Sequence, residues 1–153
     1  MVKLDIKLDL TQFNQSLKNM SKAAQNEAEK AITAVAYKVE GDAKENIQTG
    51  GRTGRIYKRG KKGKIKHQAS AVGEFPKTDN EALVEGITAE FSFSGLEATV
   101  GSRISAPHGY WLEFGTRKMR ARPWLSRTID DNKDFIDRRF EKALSEIAKE
   151  FKS

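Results

Sequence analysis

Alternation of apolar and polar residues predicts strands in two parts of the chain. In the first part Val2, Leu4, Ile6, Leu8 and Leu10 alternate with Lys and Asp. In the second, Ile87, Ala89, Phe91 and Phe93 precede Gly95, and Leu96, Ala98 and Val100 follow it. Because side chains two positions apart share one face of a strand, the first part predicts a half-buried strand and the second a hairpin with one apolar face.

Apolar residues spaced three and four apart predict four helices. A short helix is expected over residues 11–20 and a long one over 21–47, ending near Thr49 where two glycines follow. The long helix carries an alanine-rich stripe: Ala24, Ala28, Ala31, Ile32, Val35, Val39 and Ala43. A third, short helix starts at Ser105-Ala106-Pro107 and stops at Gly115.

The last apolar stripe begins at Pro123 and runs to the C-terminus. A helix of about 29 residues would be roughly 43 Å long, whereas a globule of this size has a diameter near 38 Å. The helix therefore either breaks near Asp130-Asp131-Asn132 or projects beyond the globule to reach a neighbour. Together these elements predict an α+β fold: a small, mostly antiparallel sheet packed against two long helices, with a long basic loop or hairpin arm.

Length and composition favour one domain over residues 1–153, with a flexible basic arm at 49–80 inserted in it. The absence of cysteine excludes disulfides, thiol nucleophiles and thiolate metal sites, and His67 and His108 have no ligand spacing around them. No apolar run approaches the roughly 20 residues of a membrane span. We expect a soluble protein of a reducing cytoplasm, with no membrane partner, metal or cofactor.

The positive charge is concentrated in one segment. Of 28 Lys and Arg residues, eight lie within residues 49–68, which hold none of the 21 acidic residues. The eight are Arg52, Arg55, Lys58, Arg59, Lys61, Lys62, Lys64 and Lys66. Strands at 55–58 and 64–67 pair around Gly60 and Gly63 as a hairpin, or the segment stays disordered until a partner binds it. It is either a solvated loop or a surface that contacts DNA phosphates or an acidic partner.

Catalytic motifs are absent from the sequence. The glycines at 50–63 do not fit a phosphate-binding loop, no serine stands in a nucleophile elbow, and His108 is a lone histidine on an aromatic helix. Glu90, Glu97 and Glu113 are scattered carboxylates without a defined acid/base partner. We expect no catalytic residue; a metal-dependent nuclease is the enzyme class that is hardest to exclude.

One stretch, HGYWLEFGTRKMRARPWL at 108–125, holds both tryptophans together with Arg and Lys residues. Tyr110 and Phe114, four residues apart, share a helical face, and Trp111 points about 100° away from it. The three rings either form part of the core or leave an aromatic face for a partner. Aromatic residues, Met and Arg are the types enriched at protein–protein interfaces.

Residues 106–130, APHGYWLEFGTRKMRARPWLSRTID, resemble the signature of head–tail joining proteins of long-tailed bacteriophages, also called neck, minor tail or tail-completion proteins. The matching residues are Pro107, Tyr110, Glu113, Phe114, Gly115, Thr116, Met119, Ala121, Pro123, Trp124 and Leu125. Residues 51–87 are similar to a second segment of that family, through the run His67 to Ala71 and Gly73, Glu74 and Pro76. Val72 replaces the usual proline, and Glu81-Ala82 stands where Gly-Arg is common.

The resemblance implies a non-enzymatic virion protein, assembled in the host cytoplasm, that forms a ring between the head connector and the tail through which DNA passes. Its partners would be copies of itself, connector and tail proteins, and the DNA backbone. The residues assigned to an interface, or to the core beneath it, are Tyr110, Trp111, Glu113, Phe114, Gly115, Thr116, Arg117, Met119, Arg120, Pro123 and Trp124. The alternative is a sequence-nonspecific nucleic-acid-binding module that acts through the arm.

Overall fold

The computed structural model describes residues 21–77, 81–103 and 106–150; the strand predicted at 2–10 and the helix at 11–20 lie outside them. The helices are α1 (Lys22–Thr49), α2 (Ala82–Gly86), α3 (His108–Phe114), α4 (Leu125–Asp131) and α5 (Lys133–Glu150). The strands are β1 (Ile56–Arg59), β2 (Ile65–Gln68), β3 (Ile87–Phe91) and β4 (Ala98–Ser102). They form two antiparallel pairs, β1 with β2 and β3 with β4, so the predicted α+β class is confirmed.

Helix α1 is the axis of the molecule. Ser21 caps it, since its side-chain oxygen accepts a hydrogen bond from the backbone N–H of Ala24 at 3.2 Å. The predicted alanine stripe lies on the buried face, with Val35 partly exposed, and Ala36 and Ile47 extend that face. Small side chains on this face let neighbouring elements approach closely, and both α5 and the β3–β4 hairpin pack along it.

The β3–β4 hairpin forms as predicted, with Ile87 opposite Ser102 and Phe91 opposite Ala98. Its apolar face is only partly covered. Ile87 is buried against α1, but Phe91 is half exposed and Phe93, beyond the end of β3, is fully exposed. The predicted apolar face nevertheless packs along α1, since the centre of the Phe91 ring lies 5.3 Å from that of Tyr37 and Leu96 is buried, and only Phe93 projects from it.

The core consists of two clusters at different levels of α1. One joins Val39, Ala43 and Ile47 to elements α2 to α4, with Trp124 as its largest fully buried side chain. The other joins Ala24, Ala28 and Ile32 to Leu96 at the hairpin tip and Ile147 of α5. The turn of the β3–β4 hairpin, next to Leu96, and α3 therefore lie toward opposite ends of α1.

The C-terminal stripe breaks at Asn132, which is the first of the two predicted outcomes. The buried Asn132 side-chain amide donates to Asp42 at 2.8 Å and to the Thr128 carbonyl at 3.0 Å. Its backbone, at φ −98° and ψ 4°, is outside the helical region and separates α4 from α5. Helix α4 begins at Leu125 rather than Pro123, because Trp124 has a φ of −117°. Helix α2 was not predicted, since five residues carry too little periodicity to detect.

Candidate interaction surfaces

The buried carboxylate of Glu113 organises the 106–125 stretch. One of its oxygens accepts hydrogen bonds from the backbone N–H groups of Trp124 and Leu125 at 2.8 and 2.9 Å. The other accepts from the backbone N–H and the hydroxyl of Ser126 at 3.0 and 2.5 Å. A negative charge thus satisfies the free N–H groups where α4 begins, which is the favourable end of the helix for an anion.

Trp124 is the second residue that attaches α3 to the core. Its ring is completely buried, and its indole N–H donates to the carbonyl of Gly109 at 2.9 Å. A side chain at position 109 would meet Ser102 at 2.6 Å, so the glycine lets α3 lie close to β4. Glu113 and Trp124 together fix α3 against α4 and the hairpin base.

The loop between α3 and α4 is a tight, hydrogen-bonded turn. Gly115 has φ 75° and ψ −178°, a conformation open essentially to glycine alone, and it ends α3 as predicted. The Thr116 N–H donates to the Met119 carbonyl at 2.7 Å, and the Thr116 hydroxyl accepts from the Lys118 N–H at 3.2 Å. The Arg122 N–H then donates to Leu112 at 2.7 Å, which returns the chain to α3.

Three aromatic rings of α3 face solvent. Tyr110 is 41% exposed, Trp111 50% and Phe114 59%, and the Tyr110 and Phe114 rings lie 4.8 Å apart. The alternative in which all three rings belong to the core therefore does not hold. Arg117, Lys118 and Arg120 on the adjoining turn are also exposed. We call these six residues the aromatic–basic face.

The structure divides the residues predicted from this stretch into two groups. Those that hold the local fold are Glu113, Gly115, Thr116, Met119 and Trp124. Those that face solvent are Tyr110, Trp111, Phe114, Arg117, Arg120 and Pro123. The first group positions the second, because α3 is attached to the core through Glu113 and Trp124 while its aromatic rings point away from it.

Comparison with protein-family models, curated proteins and solved structures finds no match in any of the three. Within the described ranges, no three His, Asp or Glu side chains are grouped so that they could hold a metal ion. Across those same ranges, no helix combines the length and apolar character that a bilayer crossing requires.

The basic arm is a hairpin in which Ile56 pairs with Gln68 and Arg59 with Ile65, joined through a single 3-10 turn at Lys61–Gly63. Lys58 is directly opposite Lys66, an arrangement that destabilises an antiparallel pair. Arg52, Arg55, Lys61, Lys62 and Lys64 are exposed along with that pair. None of these seven basic side chains has a carboxylate partner among the described residues. Seven of the eight predicted basic residues thus share one surface without compensating carboxylates among the described residues.

The base of the arm is held by contacts that the sequence did not suggest. The Gly54 N–H donates to the Ala69 carbonyl at 2.9 Å, and Glu74 accepts from the Thr53 hydroxyl at 2.6 Å and the Ala71 N–H at 2.8 Å. These hydrogen bonds lower the pKa of Glu74, the Thr53 hydroxyl having the largest effect.

Residues 69–77 return to the body of the protein rather than extending the arm. Ser70 and Pro76 are buried, Arg122 donates to the Ser70 carbonyl at 3.1 Å, and the Arg127 guanidinium lies 4.4 Å from the Phe75 ring centre. The hairpin proper is therefore confined to residues 56–68. The one sequence signal for this contact was the His67–Pro76 run, which the family resemblance singled out without indicating its structural role.

Proposed function

We propose that this chain is a structural virion-assembly protein that joins the head connector of a long-tailed phage to its tail, acting by oligomerisation and docking around the DNA channel. The proposal has it act without catalysis, as part of the virion after assembly in the host cytoplasm. The observation that carries it is the aromatic–basic face, together with the sequence resemblance of residues 106–130.

The composition of this face favours docking over a role in the chain's own stability. Tyr, Trp and Arg are the residues that most often dominate the energy of protein–protein interfaces. Large apolar side chains that are exposed together mark interaction sites more often than monomer surface. Here the aromatic rings are exposed while α3 is held against the core through Glu113 and Trp124, so little conformational freedom is lost when a partner binds.

The test is the assembly state of the full chain, measured by size-exclusion chromatography with light scattering and by electron microscopy. We expect closed assemblies whose mass is a multiple of 17.2 kDa. Trp111→Ser combined with Phe114→Ser should reduce assembly with an unchanged circular dichroism spectrum. Leu144→Ser, which alters an exposed apolar residue of α5, is the matched control. A parent chain that stays monomeric and binds neither connector nor tail proteins would contradict the proposal.

A second candidate function is nonspecific binding of nucleic acid through the arm, favoured by the Lys58–Lys66 pair. Two ammonium groups on directly opposite residues repel each other in the free protein, and a phosphate between them would remove that repulsion. Tyr57 on the neighbouring strand position is also exposed and could stack on a base. Nonspecific binding of nucleic acid is also compatible with a protein that surrounds a DNA channel. It is a separate function only if the chain binds nucleic acid without assembling.

A further inference from the structure

The β3–β4 hairpin is the acidic counterpart of the aromatic–basic face. Residues 81–102 contain Glu81, Glu85, Glu90 and Glu97 and no Lys or Arg, and all four carboxylates are exposed. In the β3–β4 register Glu90 lies opposite Thr99, and the Ser92 N–H donates to the Glu97 carbonyl at 3.0 Å. Glu90 and Glu97 therefore share the face of the hairpin that points away from α1.

Phe93 projects from the end of this hairpin without cover. Its side chain is fully exposed, whereas the neighbouring Leu96 is buried against α1. We call Phe93, Glu90 and Glu97 the hairpin tip. It presents an apolar ring at the turn and carboxylates on the outer face of the hairpin, which is complementary in charge to exposed aromatic rings beside Arg and Lys.

The hairpin tip does not reach the aromatic–basic face of its own chain. Gly109 of α3 packs beside Ser102, which pairs with Ile87 at the base of the hairpin. Phe93 is six residues beyond Ile87, a distance of roughly 20 Å along an extended strand. The two core clusters confirm this separation, since Leu96 packs on Ala24, Ala28 and Ile32 and Trp124 packs on Val39, Ala43 and Ile47.

We propose that the hairpin tip of one copy docks on the aromatic–basic face of the next copy. Phe93 packs on the Tyr110, Trp111 and Phe114 rings, and Glu90 pairs with Arg117 or Arg120, while Glu97 adds to the negative potential that these arginines meet. Because two different surfaces of each copy are used, the contact is head-to-tail and repeats around a closed assembly. The inference rests on the proposed function and names the partner surface that the aromatic–basic face recognises.

Four aromatic rings give this contact adequate size. A whole aromatic side chain buries about 150–250 Å²; Phe93 can contribute all of this and the three α3 rings, which are already partly buried, about half each. Together with their Arg and Glu neighbours they supply part of the roughly 1,600 Å² in a standard interface. The basic arm offers more charge than α3, but its exposed Ile56, Tyr57 and Ile65 lie among uncompensated cations rather than forming a contiguous aromatic surface. The aromatic–basic face is therefore the better fit for Phe93.

The experiment uses two variants of the full chain, Phe93→Glu and Trp111→Glu, measured by light scattering over a range of concentrations. Each variant alone should remain monomeric where the parent assembles, with association weakened on the order of thirty-fold or more, as for other central interface residues. Both should keep the parent's circular dichroism spectrum, because both side chains are exposed. Both should also keep its thermal midpoint when it is measured at a concentration where the parent is monomeric. Lys61→Ala combined with Lys62→Ala, in the arm, should assemble like the parent.

Mixing the two variants decides between head-to-tail and symmetric contacts. Phe93→Glu retains an intact aromatic–basic face, and Trp111→Glu retains an intact hairpin tip. An equimolar mixture should therefore form a dimer of twice the chain mass and nothing larger, since each dimer has no further working surface. A mixture that stays monomeric overturns the proposal. If α3 paired instead with α3 of a second copy, Phe93→Glu alone would dimerise, which also overturns it.

Other outcomes separate this inference from the proposed function. If the parent assembles and Phe93→Glu assembles equally well, the inference is wrong while the structural role stands. If Phe93→Glu lowers the thermal midpoint at a concentration where the parent is monomeric, Phe93 packs within its own chain, and the inference is again wrong. If the lysine variant abolishes assembly while Trp111→Glu does not, the hairpin tip docks on the arm instead. A parent that is monomeric at every concentration overturns both proposals.

Discussion

At the residue scale, the 106–125 stretch depends on one charged side chain that is almost removed from water. Glu113 is 5% exposed and accepts four hydrogen bonds at the start of α4. A carboxylate has only acceptor sites, so it suits a position where every neighbour is a donor. The resemblance placed Glu113 in a signature, and the structure gives the physical reason for a carboxylate at that position.

Glu113→Gln should therefore destabilise the protein although it preserves the size of the side chain. The amide would turn an N–H₂ group toward one pair of donors, which leaves buried N–H groups without an acceptor. We expect a loss of about 2–3 kcal/mol in the free energy of unfolding, measured by urea denaturation at a concentration where the chain is monomeric. Glu141→Gln, on the exposed side of α5, is the control; an equal effect there would contradict the assignment.

Two glycines should respond to alanine in opposite directions. Gly115→Ala places a side chain on a glycine-only backbone conformation, 2.8 Å from the Met119 carbonyl oxygen, and should cost about 2–3 kcal/mol. Gly41 lies within α1, and a methyl group added to its Cα would meet no other atom within 4 Å, so Gly41→Ala should stabilise the protein by about 0.5–1 kcal/mol. Thermal unfolding of both variants measures the difference, and a shift in the same direction would refute the argument.

At the element scale, the strands of the arm and its base differ in the interactions that act on them. The hairpin strands carry like charges opposite each other, whereas the base is closed by backbone hydrogen bonds and by the Glu74 carboxylate. The position of the arm on the body is therefore set by the contacts between residues 53–54 and residues 69–74. A substitution at the base should alter the conformation of the whole arm, whereas a substitution in the strands should leave the hydrogen bonds of the base intact.

Acidification should loosen the arm's base. Because hydrogen bonds from Thr53 and Ala71 lower the pKa of Glu74 from 4.5, its stabilising contribution is present above that value and is lost as the pH falls through the lowered pKa. NMR spectra recorded from pH 6 downward should show the Thr53 and Ala71 amide signals shifting together. Glu74→Gln should remove this titration, and Glu85→Gln, on α2, should not; signals that titrate unchanged in Glu74→Gln would exclude Glu74 as the cause.

Periodicity predicted the elements that have enough residues to display it. The boundaries of α1, the β3–β4 hairpin and the end of α3 at Gly115 follow from apolar spacing and glycine position. The break at Asn132 was one of the two outcomes that the length argument allowed, and the hydrogen bonds of its amide were not foreseeable. Contacts between residues distant in sequence, such as Glu113 with Ser126 or Arg122 with Ser70, have no periodic signature. They depend on three-dimensional packing, and for that reason the sequence left the aromatic residues undecided between core and surface.

At the scale of the whole molecule, charge is separated into regions. The arm is basic, the β3–β4 hairpin is acidic, and the turn after α3 is basic again. Separated charge of this kind costs self-repulsion within each region, which is relieved when opposite regions of neighbouring molecules meet. The distribution favours a protein that works within an assembly.

Arm-mediated DNA binding should depend strongly on salt. If all eight cations contacted phosphates, the slope of log affinity against log salt would reach about −7. Replacing Lys58, Arg59, Lys61 and Lys62 by Ala should reduce the magnitude of that slope by roughly 3 to 4, measured by fluorescence anisotropy with duplex DNA. The control removes equal charge from α5 through Lys133, Arg138, Arg139 and Lys142. A slope that the arm variant leaves unchanged would exclude the arm from DNA binding.

The closed base of the arm affects which changes in the sequence of the arm the protein can tolerate. Since Gly54 and Ala69 are hydrogen-bonded neighbours, the chain leaves and re-enters the body at almost one point. Fourteen residues separate them in this sequence, yet the body would accommodate a longer, shorter or differently charged insert with little change, because loop closure costs rise slowly with length. The arm is thus an exchangeable module, free to diversify in length and charge while the rest of the protein is retained.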